Sequence, residues 1–124
     1  MKTILLAEDD ESAIALYEAV LSGHRDWRLV IARTGEEALQ LAHLHLPAVA
    51  LLDIQMPALD GIEVCRRLKS DPATAAIPVI VVSALTQLTS RDAAAEAGAE
   101  EFVAKPFSPA ELTRLVERTL DSVR

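Results

Sequence analysis

The sequence predicts an α/β domain: a doubly wound (βα)5 chain whose five parallel strands form one sheet with helices on both faces. Three observations predict it. Short apolar runs alternate with longer amphipathic stretches along the whole chain, the pattern of a parallel sheet joined by crossover helices. Helix start and stop residues punctuate the junctions between them. The 124 residues, 51% of them apolar, make one ordinary domain over 1–124, able to bury roughly two-thirds of its unfolded surface. No repeat, low-complexity tract or linker divides it.

Thr3 to Ala7 is the first strand. From Glu11 to Ser22, Ile14, Leu16, Val20 and Leu21 recur at roughly helical spacing, and Gly23 stops the helix. Arg28 to Ala32 is the second strand. Thr34-Gly35-Glu36-Glu37 then reads as a capping box, in which hydroxyl and carboxylate satisfy each other's orphan amides, and it launches a helix to about His45 before Pro47. Ala48 to Leu52 is continuously apolar, as a strand covered on both faces should be, and runs into Asp53. After a turn over 54–60, Asp60 with Glu63 caps a helix whose Ile62, Cys65 and Leu68 share a face and which ends near Ser70. A loop over 71–78 precedes Val79 to Val82, the most β-branched run in the chain. A fourth helix spans Ser90 to Ala97 and stops at Gly98; Glu101 to Ala104 is the fifth strand. Ser108-Pro109-Ala110-Glu111 opens the last helix, with Leu112, Leu115, Val116 and Leu120 as its buried stripe.

Composition excludes several function classes. With 19 acidic and 12 basic side chains the net charge is −7, and no basic cluster is present to neutralise phosphates, which argues against direct nucleic-acid binding. A single cysteine, Cys65, cannot form an internal disulfide and suits a reducing, cytoplasmic setting; on its helical apolar face it reads as packing. The first apolar run, Ile4 to Ala7, is cut off by Glu8, Asp9, Asp10 and Glu11, too short for a signal peptide or a membrane span.

In an open doubly wound sheet, ligands bind beyond the carboxyl ends of the strands, where strand order reverses. The residues there are Glu8, Asp9 and Asp10 after the first strand, Asp53 after the third, Ser83 at the end of the fourth and Lys105 after the fifth. Carboxylates crowded on one edge repel one another unless a cation neutralises them. Hard oxygen ligands in a partly open site suggest Mg2+. Helix-dipole stabilisation accounts equally well for Asp10 and Glu11. It does not account for Asp53, a carboxylate at the mouth of a buried strand.

These motifs resemble a family. Leu6-Ala7-Glu8-Asp9-Asp10, Leu52-Asp53-Ile54-Gln55-Met56-Pro57 with Asp60-Gly61, Val82-Ser83-Ala84, and Phe102-Val103-Ala104-Lys105-Pro106-Phe107 are, in this order, similar to the response-regulator receiver domains of two-component signalling over the entire chain. The resemblance implies a flavodoxin-like fold in which Asp53 is the phosphoacceptor, served by a sensor histidine kinase or a histidine phosphotransfer protein. It implies that Glu8 and Asp9 hold Mg2+ together with Asp53 and the backbone carbonyl of Gln55. Asp10, one residue beyond that pair, reads as a helix cap. Ser83 and Lys105 would bind phosphoryl oxygens, Ala84 would leave the phosphate room, and Gln55 and Leu85 would tune its lifetime. The Lys105-Pro106 peptide is expected to be cis. Ser83 and Phe102 would act as the switch, with output through the fourth helix, fifth strand and fifth helix to an unspecified partner or domain, a phosphorylation-linked dimer included; Phe102 as plain core is the alternative. The domain would be no enzyme in its own right, although it assists its own phosphorylation and dephosphorylation.

The chemistry agrees with those roles. Phosphoryl transfer has a loose transition state with charge on three oxygens, so positioning and neutralisation suffice. A carboxylate nucleophile, ordinarily ionised at neutral pH, needs no general base, so His24, His43 and His45 read as surface residues. A haloacid-dehalogenase-type phosphatase would need a second carboxylate where Gln55 stands. A flavodoxin-type cofactor binder would need a phosphate loop where Glu8 to Glu11 would repel one. The alternative that survives is a receiver-like docking module acting without phosphorylation. The fourth helix adds a feature of its own: between Leu88 and Phe102 its only apolar residues are alanines, so it has little area to anchor it and is expected to be the mobile element.

Overall fold

A computed structural model describes residues 2–24, 26–56, 58–84 and 90–121. Strands and helices alternate: β1 (Lys2–Ala7), α1 (Glu11–Leu21), β2 (Trp27–Ala32), α2 (Gly35–His45), β3 (Val49–Asp53), α3 (Gly61–Ser70), β4 (Val79–Ala84), α4 (Ser90–Glu96), β5 (Glu101–Lys105) and α5 (Pro109–Asp121). Every strand pair is parallel and the sheet order is β2-β1-β3-β4-β5. The chain begins at β1, steps out to β2 and returns past β1 to β3, so strand order reverses between β1 and β3.

Successive strand residues point to opposite faces, which sorts the core into two layers. Leu5, Ala7, Ala50, Leu52, Val79 and Val81 pack with residues of α2, α3 and α4. Ile4, Leu6, Val49, Leu51, Ile80 and Val82 pack with α1 and α5. β3 has neighbours on both sides and helices on both faces, and all five of its residues are buried, which is why its sequence is a continuous apolar run ending in one acid.

The predicted caps form. Asp10, Thr34 and Asp60 accept the N–H of the third helical residue at 3.0, 3.1 and 2.9 Å. Ser108 and Glu111 close a reciprocal box: the Glu111 N–H donates to Ser108 Oγ (3.1 Å) and the Ser108 N–H to Glu111 Oε1 (3.3 Å). At Thr34 the box is not reciprocal, because the Glu37 carboxylate accepts from Arg33 N–H (2.6 Å), one residue upstream.

Two expectations change. Strands β3, β4 and β5 run to Asp53, Ala84 and Lys105, because the ladder continues through Asp53↔Val82, Ser83↔Ala104 and Ala84↔Lys105; Asp53 and Lys105 are strand residues rather than loop residues. On α1 the buried stripe is Ile14, Tyr17 and Leu21, with Leu16 52% exposed and Val20 half-buried. Steps of three and four keep Ile14, Tyr17 and Leu21 on one side, whereas Leu16 lies about 200° round from Ile14.

Candidate functional site

The carboxyl ends of β1 and β3 meet at the topological switch point, and two acids are buried there, Glu8 (2% exposed) and Asp53 (4%). Glu8 follows β1 directly and extends its ladder by donating its N–H to Ala32 O (2.9 Å). Its Oε2 accepts the N–H groups of Asp9 and Asp10, each at 3.1 Å. Asp53 is held from two directions: Oδ1 accepts Gln55 N–H (2.8 Å) and Oδ2 accepts Lys105 Nζ (2.6 Å). The turn after β3 folds back so closely that a Cβ on Gly61, at the start of α3, would overlap the Asp53 carbonyl oxygen; the absent side chain lets α3 begin over the site.

Lys105 ends β5 at a cis Lys105-Pro106 peptide and brings a cation to the pair. Its Nζ lies 3.6 Å from Glu8 Oε1 as well as 2.6 Å from Asp53 Oδ2. Burial alone would lower its pKa, but the hydrogen bond and charge of Asp53, with Glu8 behind, raise it. Burial pushes the Glu8 carboxyl up to about 7, and Asp53 adds to that against the opposing Asp10 N–H and Lys105. Even so, Glu8 Oε1 is buried without a hydrogen-bond partner.

The remaining predicted residues fall around this pair. Ser83 is buried (1% exposed), opposite Ala104 in the ladder, with its Oγ 3.3 Å from Ala84 O; Ala84 is half-buried and Gln55 exposed. Asp9 is exposed, and among the described residues no three His, Cys, Asp or Glu side chains are gathered closely enough to hold a metal ion by themselves. The crowding expected of three carboxylates is therefore two buried carboxylates and a lysine, with Asp9 at the rim. Asp10 caps α1. Phe102 is half-buried on β5 under the Arg91 guanidinium, 4.7 Å from its ring centroid. Leu85 lies outside the described residues. Cys65 is buried packing, its thiol 3.6 Å from Ala97 O and its pKa pushed up to about 11, chiefly by burial. Of the histidines only His43 is exposed; His45 is half-buried, and so is His24, which stacks on Trp27 at 3.8 Å.

The donor set fits Mg2+. An oxygen without a partner on a buried carboxylate, a second buried carboxylate, an acid at the rim and backbone carbonyls are hard ligands, and too few to saturate an ion. Mg2+ takes one or two carboxylates, a phosphate and several waters.

Sequence reasoning missed Tyr17. It is 1% exposed beneath this site, and the charges of Asp53 and Glu8 reinforce burial in raising its pKa. Its spacing from Ile14 and Leu21 was the available signal.

Fold and site together define a doubly wound α/β domain with a buried acidic pair over its switch point, answered by one lysine. The chain belongs to the response regulator receiver domain family, matched over residues 4–117, and is thus a receiver domain of two-component systems. It is 40% identical over 104 residues to the response regulator PleD of Caulobacter vibrioides, covering 84% of this chain and 23% of that protein. It is 34% identical over 119 residues to the transcriptional regulatory protein PhoP of alkaline phosphatase synthesis in Bacillus subtilis, covering 96% and 48%. The chain thus spans less than half of either relative. Among solved structures it resembles the receiver domain of a signal transduction histidine kinase from Syntrophus aciditrophicus, with TM-score 0.91, 30% identity and coverage of 100% and 93%. It also resembles the receiver domain of a sensor histidine kinase from Pseudomonas aeruginosa, with TM-score 0.88, 28% identity and coverage of 97% and 98%; a magnesium ion is coordinated in that domain's active-site cleft.

Proposed function

We propose that Asp53 accepts a phosphoryl group from a histidine kinase or a histidine phosphotransfer protein, and that the acyl phosphate resets the α4-β5-α5 face for an output partner. The observation that carries this is the buried Asp53 carboxylate at the switch point with Lys105 Nζ 2.6 Å from it. A structural acid has no need of that position, whereas a nucleophile there is oriented by Gln55 N–H on one oxygen and by a cation on the other.

In the reaction, an Asp53 carboxylate oxygen forms a bond to phosphorus as the N–P bond of the donor phosphohistidine breaks, and the imidazole leaves with the electron pair. Lys105, on Asp53 before transfer, moves to a phosphoryl oxygen as negative charge builds there. The Ser83 hydroxyl donates to a second oxygen, and small Ala84 leaves the group room. Glu8, Asp9, Asp53 and the Gln55 carbonyl would hold Mg2+, which supplies neutralisation of the third oxygen. Gln55 and Leu85, at the sequence positions that tune hydrolysis in similar domains, would set the lifetime of the product. The Ser83 movement is passed to Phe102, whose inward rotation would release the Arg91 contact on α4. The domain is a phosphorylated signalling element more than an enzyme, and a cytoplasmic site of action suits this chemistry; among the described residues no helix is long and apolar enough to cross a membrane.

Incubation with acetyl phosphate and Mg2+ should add one phosphoryl group by intact mass, and Asp53→Asn should take up none. An unmodified wild-type chain would instead support a docking module that works without phosphorylation.

A further inference from the structure

Among the described residues two buried side-chain polar atoms have no hydrogen-bond partner, Glu8 Oε1 and the Tyr17 hydroxyl. The pocket's chemistry accounts for the first. Nothing in the proposed reaction uses the second. Tyr17 is the chain's one tyrosine, 1% exposed on the inner face of α1. Phenylalanine would fill the same core position without the cost of stripping water from a phenol. A buried donor left unsatisfied calls for an acceptor in some state of the protein.

The surroundings of Tyr17 narrow the choice of acceptor. Its ring packs against Phe107 with centroids 5.9 Å apart and planes tilted by 41°, and Phe107 is the second residue after Lys105, so the ring sits against the loop that follows the strand end carrying the pocket's cation. Its cluster is otherwise apolar, with Ile4, Leu6, Leu51, Val82 and Leu112 among its members. The groups whose charge reaches its hydroxyl are Asp53 and Glu8. Each Asp53 oxygen already accepts one bond, from Gln55 N–H and from Lys105, and Glu8 Oε2 accepts two, from backbone N–H groups. Glu8 Oε1 accepts none: Lys105 Nζ stands 3.6 Å away, and the Asp53 carboxyl beside it is an acid that repels it. Whatever draws Lys105 toward an incoming anion strips that oxygen of its one cation.

We propose that Tyr17 is a positioning residue of the pocket, its phenol O–H reserved for Glu8 Oε1, reached directly or through one enclosed water, so that Glu8 keeps its orientation when Lys105 leaves. The inference rests on the phosphoacceptor reading only for what draws Lys105 away. It makes α1 part of the site's supporting frame, and it explains a tyrosine in an apolar stripe.

A single tyrosine is a native probe. With [13Cζ]tyrosine the domain shows one phenol resonance, and replacing the neighbouring carboxylate by its isosteric amide, Glu8→Gln, should move it in metal-free protein. In wild type the resonance should move again on adding Mg2+ and beryllofluoride, a phosphoryl mimic. Tyr17→Phe keeps the ring and the Phe107 contact, so a merely structural role predicts unchanged Mg2+ affinity. A positioning role predicts a loss of about tenfold by calorimetry, as for other groups that orient metal ligands, without a fall in melting temperature. A phenol resonance identical in wild type and Glu8→Gln, or Mg2+ affinity in Tyr17→Phe within about twofold of wild type, overturns the proposal. If wild type takes up neither Mg2+ nor a phosphoryl group, the phosphoacceptor reading fails, and the metal-free comparison of wild type with Glu8→Gln still decides the role of Tyr17.

Discussion

The two faces of the sheet are built from different materials. Against α1 and α5 the buried layer holds Tyr17, Trp27 and a set of leucines, isoleucines and valines, and among the described residues none of the thirteen in that cluster is alanine. Against α2, α3 and α4, seven of the sixteen described residues in the cluster are alanine. A buried leucine contributes about 1.5–3 kcal/mol and each methylene about 0.8, so the first face is held by area and the second by close approach and directional contacts. α4 is the extreme case. Among its described side chains, from 91 to 96, the buried one is Ala94, followed by Ala97 just beyond the helix. What ties this end of the molecule is polar: Lys69 Nζ donates to Ala75 O (3.2 Å), Ile77 O (2.7 Å) and Glu100 Oε2 (2.8 Å), and Glu100 Oε1 accepts Val79 N–H (2.7 Å). Gly98, at φ +99°, lays its backbone on the Lys69 stem, where a Cβ would come within 2.9 Å of Cγ. A few directional contacts can be exchanged for others more readily than a buried leucine stripe, so the second face suits a switch and the first suits a frame.

The largest effects should separate the faces by sign of volume change. Leu112→Ala, on the area-held face, leaves a cavity and should cost about 2–5 kcal/mol in urea unfolding. Ala42→Leu, on the alanine face, overpacks and should cost about 1–3 kcal/mol. Native-state amide exchange in α4 should proceed by local opening and outpace that in α5. Equal protection of the two helices, or a Leu112→Ala loss no greater than that of Ala42→Leu, would dissolve the contrast.

Next in size is the polar clamp. Lys69→Ala strands two carbonyls and the Glu100 carboxylate and should cost about 1.5–3 kcal/mol, the range for hydrogen bonds to charged groups. Its signature is local: exchange should accelerate at Gly98 to Glu101 and in α4, while α5 keeps its protection. A uniform acceleration across both faces would show that the clamp serves the whole fold and not the α4 end.

Much of this was legible along the chain because the signals are local. The N-caps Asp10, Thr34, Asp60 and Ser108 lie within three residues of the amides they bind, and the apolar run of β3 announces its double coverage. The strand-end residues of the site could be lined up because a parallel sheet puts every carboxyl end on one edge. What sequence withholds is how residues far apart share space. Lys69 meets Glu100 across 31 positions and Lys105 meets Asp53 across 52, and no periodicity encodes either pairing. The burial of Glu8 and the exposure of its neighbour Asp9 are equally hidden, since they depend on how the chain turns after β1. Tyr17 was hidden for another reason: Leu16, the more apolar neighbour, took its place in the predicted stripe.

The smallest predicted effect stitches α2 to the turn after α3 on the alanine face. His43 Nδ1 meets Leu39 O at 2.9 Å, and Nε2 meets Asp71 Oδ2 at 2.6 Å. The Leu39 carbonyl, then Asp71, raise the His43 pKa. The Ala73 N–H, then His43, lower that of Asp71. A raised histidine stabilises fully below its unfolded value of about 6.5 and loses this as pH rises through its folded value; a lowered aspartate does so above about 3.9 and loses it as pH falls. The two overlap between roughly pH 4 and 6.5. His43→Gln should therefore lower the urea midpoint most within that overlap, and converge on wild type once pH has risen through the raised folded-state value of His43. Both groups are exposed, so the effect should be modest and shrink with added salt. A difference that grew toward high pH would mean that His43 acts through packing, and the alanine face would then owe less to polar stitching than its composition implies.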